Sequence, residues 1–427
     1  MSQLLIKNGL LLDPASELNH KADLYIENGH IVAIDKAPEN FSAEQTIDAQ
    51  DLTVIPGIVD LCARLREPGL ENKATIYSET IAAAMSGITT LCCPPDTDPV
   101  IDEPAVVELI NHKAANAAHS NVLMLGALTT GLKGELLSEM QALQIAGCVG
   151  LSNARLPIEN TLVLKRAYAY AANCGLTVFI EPDDHWLSAG GCAHDGTIAS
   201  RLGLKGIPVS AETVALARAL EIVAETGVKA HFGRLSSAAS VAMIRRAKDD
   251  GLNITADVSA HQLHLNELDI SSFNSTCHVL PPLRNQRDQE ALQRGVADGT
   301  LDAICSDHQP HNPDAKEAPF ASTEPGISAL TTLLPLATRL ADQGIIDIET
   351  IVRAITSAPA SILGMNTGSL SIGASADICI VNRNTNWQLD ESNIYSAGKN
   401  SPFIGWNFQT RAEHTVIGGV LIHSHQD

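Results

Sequence analysis

A chain of 427 residues, 45% hydrophobic and 18% charged, is long enough to bury a large core, which excludes a disordered or low-complexity class. Lys and Arg total 28 against 49 Asp and Glu, giving a formal net charge of −21. So acidic a surface repels phosphate backbones and anionic membranes, and neither nucleic acid nor membrane is an expected partner.

The opening stretch, MSQLLIKNGLLLDPASE, has no basic leader, and Lys7, Asn8 and Gly9 break its apolar run, so it does not read as a signal peptide. Asn8-Gly9 and Asn28-Gly29 read as hairpin turns inside QLLIKNGLLLD and ADLYIENGHIVAID. From there the pattern changes to helix, glycine, strand. TIYSETIAAAMSG leads into ITTLCCPP, and VVELINHKAANA into NVLMLGAL. LSEMQALQIAG, TLVLKRAYAYAANCG, AETVALARALEIVAETG, SVAMIRRAKDDG and DQEALQRGVADG each precede a further strand-like run. Repetition over about 300 residues indicates parallel β/α units with right-handed crossovers. A closed (β/α)8 barrel is the most economical arrangement. A doubly wound open sheet is the alternative, although no strand is followed by G-x-G-x-x-G. The chain returns to strand-like runs in GSLSIGASADICIVN and HTVIGGVLIHS, so β-rich segments at both ends are expected to pair. No run approaches the ~18–20 apolar residues of a membrane span. Nine cysteines without a C-x-x-C pair fit reduced, buried thiols in a cytoplasm.

PGIVDLCARLREPG, GITTLCCPPDT, HVLPPLRNQRDQEAL, GTLDAICSDHQPH and ITSAPASILGM…GSLSIGASADICIV occur in that order. Together they resemble a dihydroorotase of the amidohydrolase superfamily, over essentially the whole chain. The resemblance implies a TIM-like (β/α)8 barrel over residues 55–367 and a small composite β-sandwich from residues 1–54 plus 368–427. It also implies one or two zinc ions that polarise a ring amide and activate a water. Their ligands would be two histidines after the first strand, a bridging acid, two histidines on middle strands, and an aspartate that doubles as general base.

Carried over position by position, that pattern is degenerate here. The first histidine pair falls on Cys62 and Arg64, the bridging acid on Asn153, and the middle histidines on Glu181 and Arg234. Asp307 alone is unchanged, as a vestigial general base. Cysteine binds zinc as a thiolate, but a guanidinium has no lone pair to give. The expectation is therefore that no metal is held and that a bidentate Arg–carboxylate network of Arg64, Arg234, Glu181 and Asp307 fills the cavity. The implied substrate positions are mixed: Arg66 and His311 are kept, while Asp96 and Leu280 stand where asparagines are expected. His231 and His308 read as structural residues, His261 and His264 as loop residues, and the HSHQD tail as solvated, while Arg66 and Arg284 read equally as structural ties between loops at the barrel mouth or as functional residues.

Three functions remain open. A catalytically inactive dihydroorotase-like chain could serve as a structural subunit of aspartate transcarbamoylase in pyrimidine biosynthesis, with that enzyme's catalytic chain as partner. An active dihydroorotase, or a related cyclic amidohydrolase, could bind one zinc through Cys62, Glu181, His231 and Asp307. A small-molecule sensor could use a pocket around Arg66 and His311. The resemblance implies no cofactor other than zinc, and a homodimer is a further candidate partner because dimers are common in the superfamily.

Overall fold

A computed structural model describes residues 3–425; the last two residues of the HSHQD tail lie outside them. The N-terminal strands are β1 (Gln3–Asp13), β2 (Leu18–Glu27), β3 (His30–Ile34), β4 (Gln45–Asp48) and β5 (Thr53–Pro56). Asn28-Gly29 forms the expected hairpin turn, both residues having positive φ, with Glu27 opposite His30. Asn8-Gly9 does not turn the chain. β1 runs straight through it, and the pairing with β2 slips there as a bulge. Two carboxylates hold the bulge open: Asn8 N donates to Asp23 Oδ1 and Asn8 Nδ2 to Asp48 Oδ1, each at 2.9 Å. Gly9 is required because a Cβ there would lie 2.5 Å from Val54 Cγ2.

The run VIPGIVD makes two strands rather than one. β5 ends at Pro56 in the N-terminal sheet, and β6 (Ile58–Asp60) begins the barrel. The crossing point is Gly57, where a Cβ would lie 2.2 Å from Thr89 Oγ1. The barrel continues through β7 (Ile88–Cys93), β8 (Asn121–Ala127), β9 (Gly150–Ser152) and β10 (Thr177–Ile180). A small parallel pair, β11 (Ala193–His194) and β12 (Gly206–Ile207), stands apart in the excursion after β10. Then follow β13 (Ala230–Phe232), β14 (Ile254–Ser259) and β15 (Ala303–Cys305).

Strands β6, β7, β8, β9, β10, β13, β14 and β15 are hydrogen-bonded in that order, all in parallel. The seam from β15 back to β6 closes just beyond the strand ends. His308 N donates to Cys62 O at 3.2 Å, and Arg64 N to His308 O at 2.9 Å. Ser306 N donates to Asp60 Oδ1 at 2.8 Å. The fold is thus a (β/α)8 barrel. Apolar side chains fill its interior, among them Val59, Leu61, Cys62, Leu125, Phe179, Ala303 and Cys305, and Ala360, Ile362 and Leu363 pack against them. It is a packed core with a site at the strand C-termini, as this architecture dictates.

The C-terminal strands are β16 (Ile378–Asn382), the short pair β17 (Trp387–Gln388) and β18 (Asn407–Phe408), β19 (Arg411–Ile417) and β20 (Val420–Ser424). β16 pairs antiparallel with β5, so both chain ends share one mixed eight-stranded sheet. That sheet has its own core of Ile6, Leu11, Leu24, Ile31, Val54, Ile378 and Ile380. Leu389, Ile394, Phe403 and Phe408, between β16 and β19, pack instead into the barrel's core. Among the described residues no helix is long and apolar enough to cross a membrane.

Candidate functional site at the barrel mouth

Four residues just past strand ends, Arg66, Ala154, Arg234 and Asp307, have φ of 63°, 48°, 56° and 49°. Left-handed backbone at non-glycine residues costs roughly 1–3 kcal/mol each and persists where the surrounding fold dictates it. Here it turns three charged side chains at the mouth.

The deepest is Asp307, 2% exposed. Arg64 Nη1 lies 3.5 Å and Arg234 Nε 3.8 Å from its Oδ1. Gln309 Nε2 donates to the same oxygen at 3.2 Å, and the Cys62 thiol sits 3.8 Å away. Arg64 reaches two further acids. Its Nε donates to Asp96 Oδ2 at 2.8 Å, and its Nη2 lies 3.9 Å from Glu181 Oε1. Arg234 Nη2 approaches the same Glu181 oxygen at 2.5 Å. That approach is a charge contact without hydrogen-bond alignment, since Glu181 Oε1 and Arg234 Nε both lack an aligned partner. The network is therefore not the bidentate one expected from the sequence. Arg64 spreads over three carboxylates and Arg234 over two, because each must serve more than one acid.

Asp96, expected in a substrate pocket, is instead the closest ion-pair partner of Arg64. Burial works to raise its carboxyl, and the Arg64 guanidinium and its hydrogen bond more than offset that, holding it below the usual range. Arg64 and Arg234 are raised above the ordinary arginine value: burial opposes their charge and the surrounding acidic groups prevail. For Asp307 burial wins over the same two guanidiniums, and its carboxyl is pushed up to about 6. Burial likewise drives the Cys62 thiol well above its ordinary value, which keeps it protonated.

Asn153 does not join this cluster. Thr129 Oγ1 donates to its Oδ1 at 2.7 Å, and its Nδ2 donates to Leu132 O and Leu156 O, so it braces its own loop. Sequence reasoning missed Asp257, which lies behind the network. It accepts from His231 Nε2 at 2.9 Å and from Arg234 N at 2.5 Å. His231 Nδ1 contacts Thr255 Oγ1, so both ring nitrogens are used. An acid at a barrel strand's inner end, in ADVS, was the available signal. Glu79 and His308 were also missed as a pair: His308 Nδ1 accepts from Ala329 N, so Nε2–H donates to Glu79 at 2.7 Å.

The two substrate positions that match the resemblance, Arg66 and His311, are tied to the loop after β15. Arg66 Nε donates to Pro310 O at 3.0 Å, and its Nη2 lies 3.2 Å from His311 Nε2. His311 also contacts Lys73 Nζ and Pro325 O. Burial and then the Arg66 charge lower its imidazole to about 3, so it is neutral. Leu280 is half-buried and adds no polar group. Asn400 pins the loop: it accepts from His311 N at 2.8 Å and donates to Gln309 O and Gly326 O at 3.0 Å. Asn400→Ala would leave three buried backbone groups without partners, at about 1–3 kcal/mol for each uncompensated group. The expected result is a loss of at least 2 kcal/mol in urea unfolding and faster amide exchange over residues 309–328; unchanged exchange there would contradict the bracing role. Arg284 is likewise consumed, by Ser236 Oγ at 3.1 Å and Ile207 O at 2.6 Å. His261 is buried and its Nε2 contacts Ser259 Oγ, while His264 Nε2 donates to Leu336 O at 2.8 Å.

Zinc does not fit these side chains. Two guanidiniums, a protonated thiol and a histidine already bonded at both nitrogens leave no converging donor set. Among the described residues no three His, Cys, Asp or Glu side chains converge to hold a metal. What remains between Cys62, Glu181, His231, Arg234 and Asp257 is a cavity of about 10 Å³, at the lower limit for one water.

The Asp307 shift has a measurable consequence. The folded carboxyl holds its proton more tightly than the unfolded one, whose ordinary value is 3.8. Its stability contribution is thus fully present below about pH 4 and is lost as pH rises through about 6. The wild-type protein should therefore lose on the order of 2–3 kcal/mol relative to Asp307→Asn between pH 4 and pH 7. Parallel urea-unfolding stabilities across that range would contradict this.

A family model described as Dihydro-orotase-like matches residues 52–240, and one described as Amidohydrolase family matches residues 186–422. The chain is 46% identical to a "Dihydroorotase-like protein" of Pseudomonas aeruginosa over 98% of its length and 99% of the relative's. It is 38% identical to a "Dihydroorotase" of Geobacter sp. (strain M21), over 98% and 99%. Among solved structures, the L-hydantoinase (dihydropyrimidinase) from Arthrobacter aurescens matches with a TM-score of 0.89 at 23% identity, covering 99% of this chain and 96% of that one. At that identity the likeness speaks for the fold.

Proposed function

Since the chain belongs to the dihydroorotase-like amidohydrolases, we propose that it is a non-catalytic member and a structural subunit supporting aspartate transcarbamoylase in pyrimidine biosynthesis, in the cytoplasm. One observation carries the non-catalytic reading: Arg64 and Arg234 converge on Asp307 and Glu181 where ligands to cations would have to converge. A guanidinium can neither ligate a Lewis acid nor accept a proton at neutral pH. Asp307 is the residue that would act as base, and it is enclosed by these groups rather than open to a substrate.

The partner comes from the resemblance to degenerate dihydroorotase-like chains. A barrel freed from catalysis keeps its rigid core and can serve assembly. The test is co-expression with the aspartate transcarbamoylase catalytic chain. A stable complex, with loss of transcarbamoylase activity when this chain is withheld, is the expected result. Full activity of the catalytic chain alone, with no complex, would overturn it.

The second reading, hydrolysis of dihydroorotate, follows from relatives such as the Geobacter protein that carry the name dihydroorotase. Turnover by the purified chain would favour it.

A further inference from the structure

The helix Val209–Thr226 packs one face, with Leu216, Ala219, Ile222 and Val223, into the barrel's core. Its outer face is apolar too. The exposed residues there are Ser210, Val214, Ala217, Glu221, Ala224 and Glu225. Its one arginine, Arg218, is folded aside onto Ile158 O at 2.8 Å and Glu159 O at 2.9 Å. The helix Gln286–Ala297 shows the ordinary case, exposing Gln286, Arg287, Glu290, Arg294 and Ala297. A helix that is apolar on both sides belongs in a place where both sides are covered.

The two ends of this outer face differ in shape. At the N-terminal end Trp186, 75% exposed, and Leu187 project from the helical turn His185–Ser188. Asp184 N donates to Ala211 O at 2.8 Å and ties that turn to the start of the long helix. At the C-terminal end a groove of about 380 Å³ runs between this helix and the helix Ala238–Asp249. Leu220, Ala224, Met243, Ala247 and Leu252 line it. Projection and groove thus lie at opposite ends of one helix, with the small side chain of Ala217 midway.

We propose that this face joins two copies of the chain in a two-fold dimer. The two helices cross obliquely and antiparallel at Ala217, and each Trp186 lies over the other copy's groove. One two-fold axis through the crossing makes both contacts at once, as a self-complementary patch requires. Charge favours this face over the rest of the surface. Two copies of a chain with net charge −21 repel each other elsewhere. Of the helix's exposed charges, Glu225 is already paired with Lys165 and only Glu221 is outside an ion pair among the described residues. In an antiparallel crossing the two copies of Glu221 stand about 10–12 Å apart, beyond the screening length at physiological salt. Area suffices as well. A helix of 18 residues is about 27 Å long, and with a neighbour on each side the face is about 20 Å wide, roughly 500 Å² per copy. Two copies bury about 1,000 Å² together, where specific interfaces begin. The dimer would form whether or not the barrel is catalytic.

The experiment is sedimentation velocity of the full chain across a concentration series at physiological salt. Reversible association to twice the chain's mass is expected. Trp186→Ala should weaken it about thirtyfold, as loss of an interface anchor does. Ala217→Glu sets two carboxylates against each other at the crossing and should leave only monomer. Both sites are exposed in the single chain, and far-UV circular dichroism confirms that each variant is folded. Ile145→Glu, at an apolar residue 81% exposed on another helix, should leave the dimer intact. Ala217→Cys should cross-link chain to chain on oxidation, because the crossing brings the two positions within disulfide reach; Ile145→Cys should not. A monomer at every concentration up to about 100 µM, a dimer that survives both Trp186→Ala and Ala217→Glu, or no Ala217→Cys cross-link would overturn the proposal. So would a chain that stays monomeric alone and uses Trp186 only to bind the aspartate transcarbamoylase chain.

Discussion

Replacing Arg64 with methionine is expected to cost about 3–5 kcal/mol of folding stability, because removing one partner of a buried ion network strands the others. Arg64 is 8% exposed and touches Asp96, Glu181 and Asp307. Methionine fills much of the same space, so the loss is electrostatic rather than a cavity. Adding Asp96→Asn removes the acid closest to Arg64, and the double variant should recover a substantial part of the loss. Urea unfolding at pH 7 gives the comparison through the midpoint at constant m. A loss below about 1 kcal/mol, within the range of an exposed ion pair, would mean that water already solvates these carboxylates and that the network is not what fills the mouth.

Dihydroorotate should not be hydrolysed above the uncatalysed rate, with or without added zinc, and Asp307→Asn should change nothing in that assay. In a working hydrolase, a positioned general base is worth about 10²–10⁴ in rate, and its loss is plain. Here Asp307 Oδ1 already faces Arg64, Arg234, Gln309 and the Cys62 thiol. Even its ionised form is committed to those neighbours. The same substitution should nevertheless alter the pH dependence of stability, so a silent result in the assay cannot be blamed on an unfolded protein. Turnover that Asp307→Asn abolishes would establish the hydrolase reading.

The helix–glycine–strand repeat made the barrel legible because each β/α unit is locally encoded, and the strand-like ends suggested that they pair. Asn8-Gly9 misled because a hairpin turn and a bulge demand the same left-handed backbone; only the distant Asp23 and Asp48 side chains decide between them. Gly57 was equally opaque. Nothing local reveals that Thr89 crowds it and that one apolar run serves two sheets.

At the site, the charges of Arg64, Glu181, Arg234 and Asp307 were readable as mutually compensating. Their geometry was not. Sequence cannot show that Arg64 divides itself among three acids or that Asp96 is its nearest one. Asn153 looked like part of the cluster by position, but hydrogen bonds to Thr129, Leu132 and Leu156 hold it in its own loop. Asp257 and the Glu79–His308 pair were hidden because partners 26 and 229 residues apart in the chain meet only after the barrel closes.

Zinc content tests the central claim most directly. The protein is expressed in zinc-supplemented medium, dialysed against metal-free buffer and assayed by elemental mass spectrometry. Well under one zinc per chain is predicted, since the guanidiniums of Arg64 and Arg234 hold the space and the acids that a cation would need. One or two tightly held zinc ions per chain, displaced when Asp307 is substituted, would contradict it.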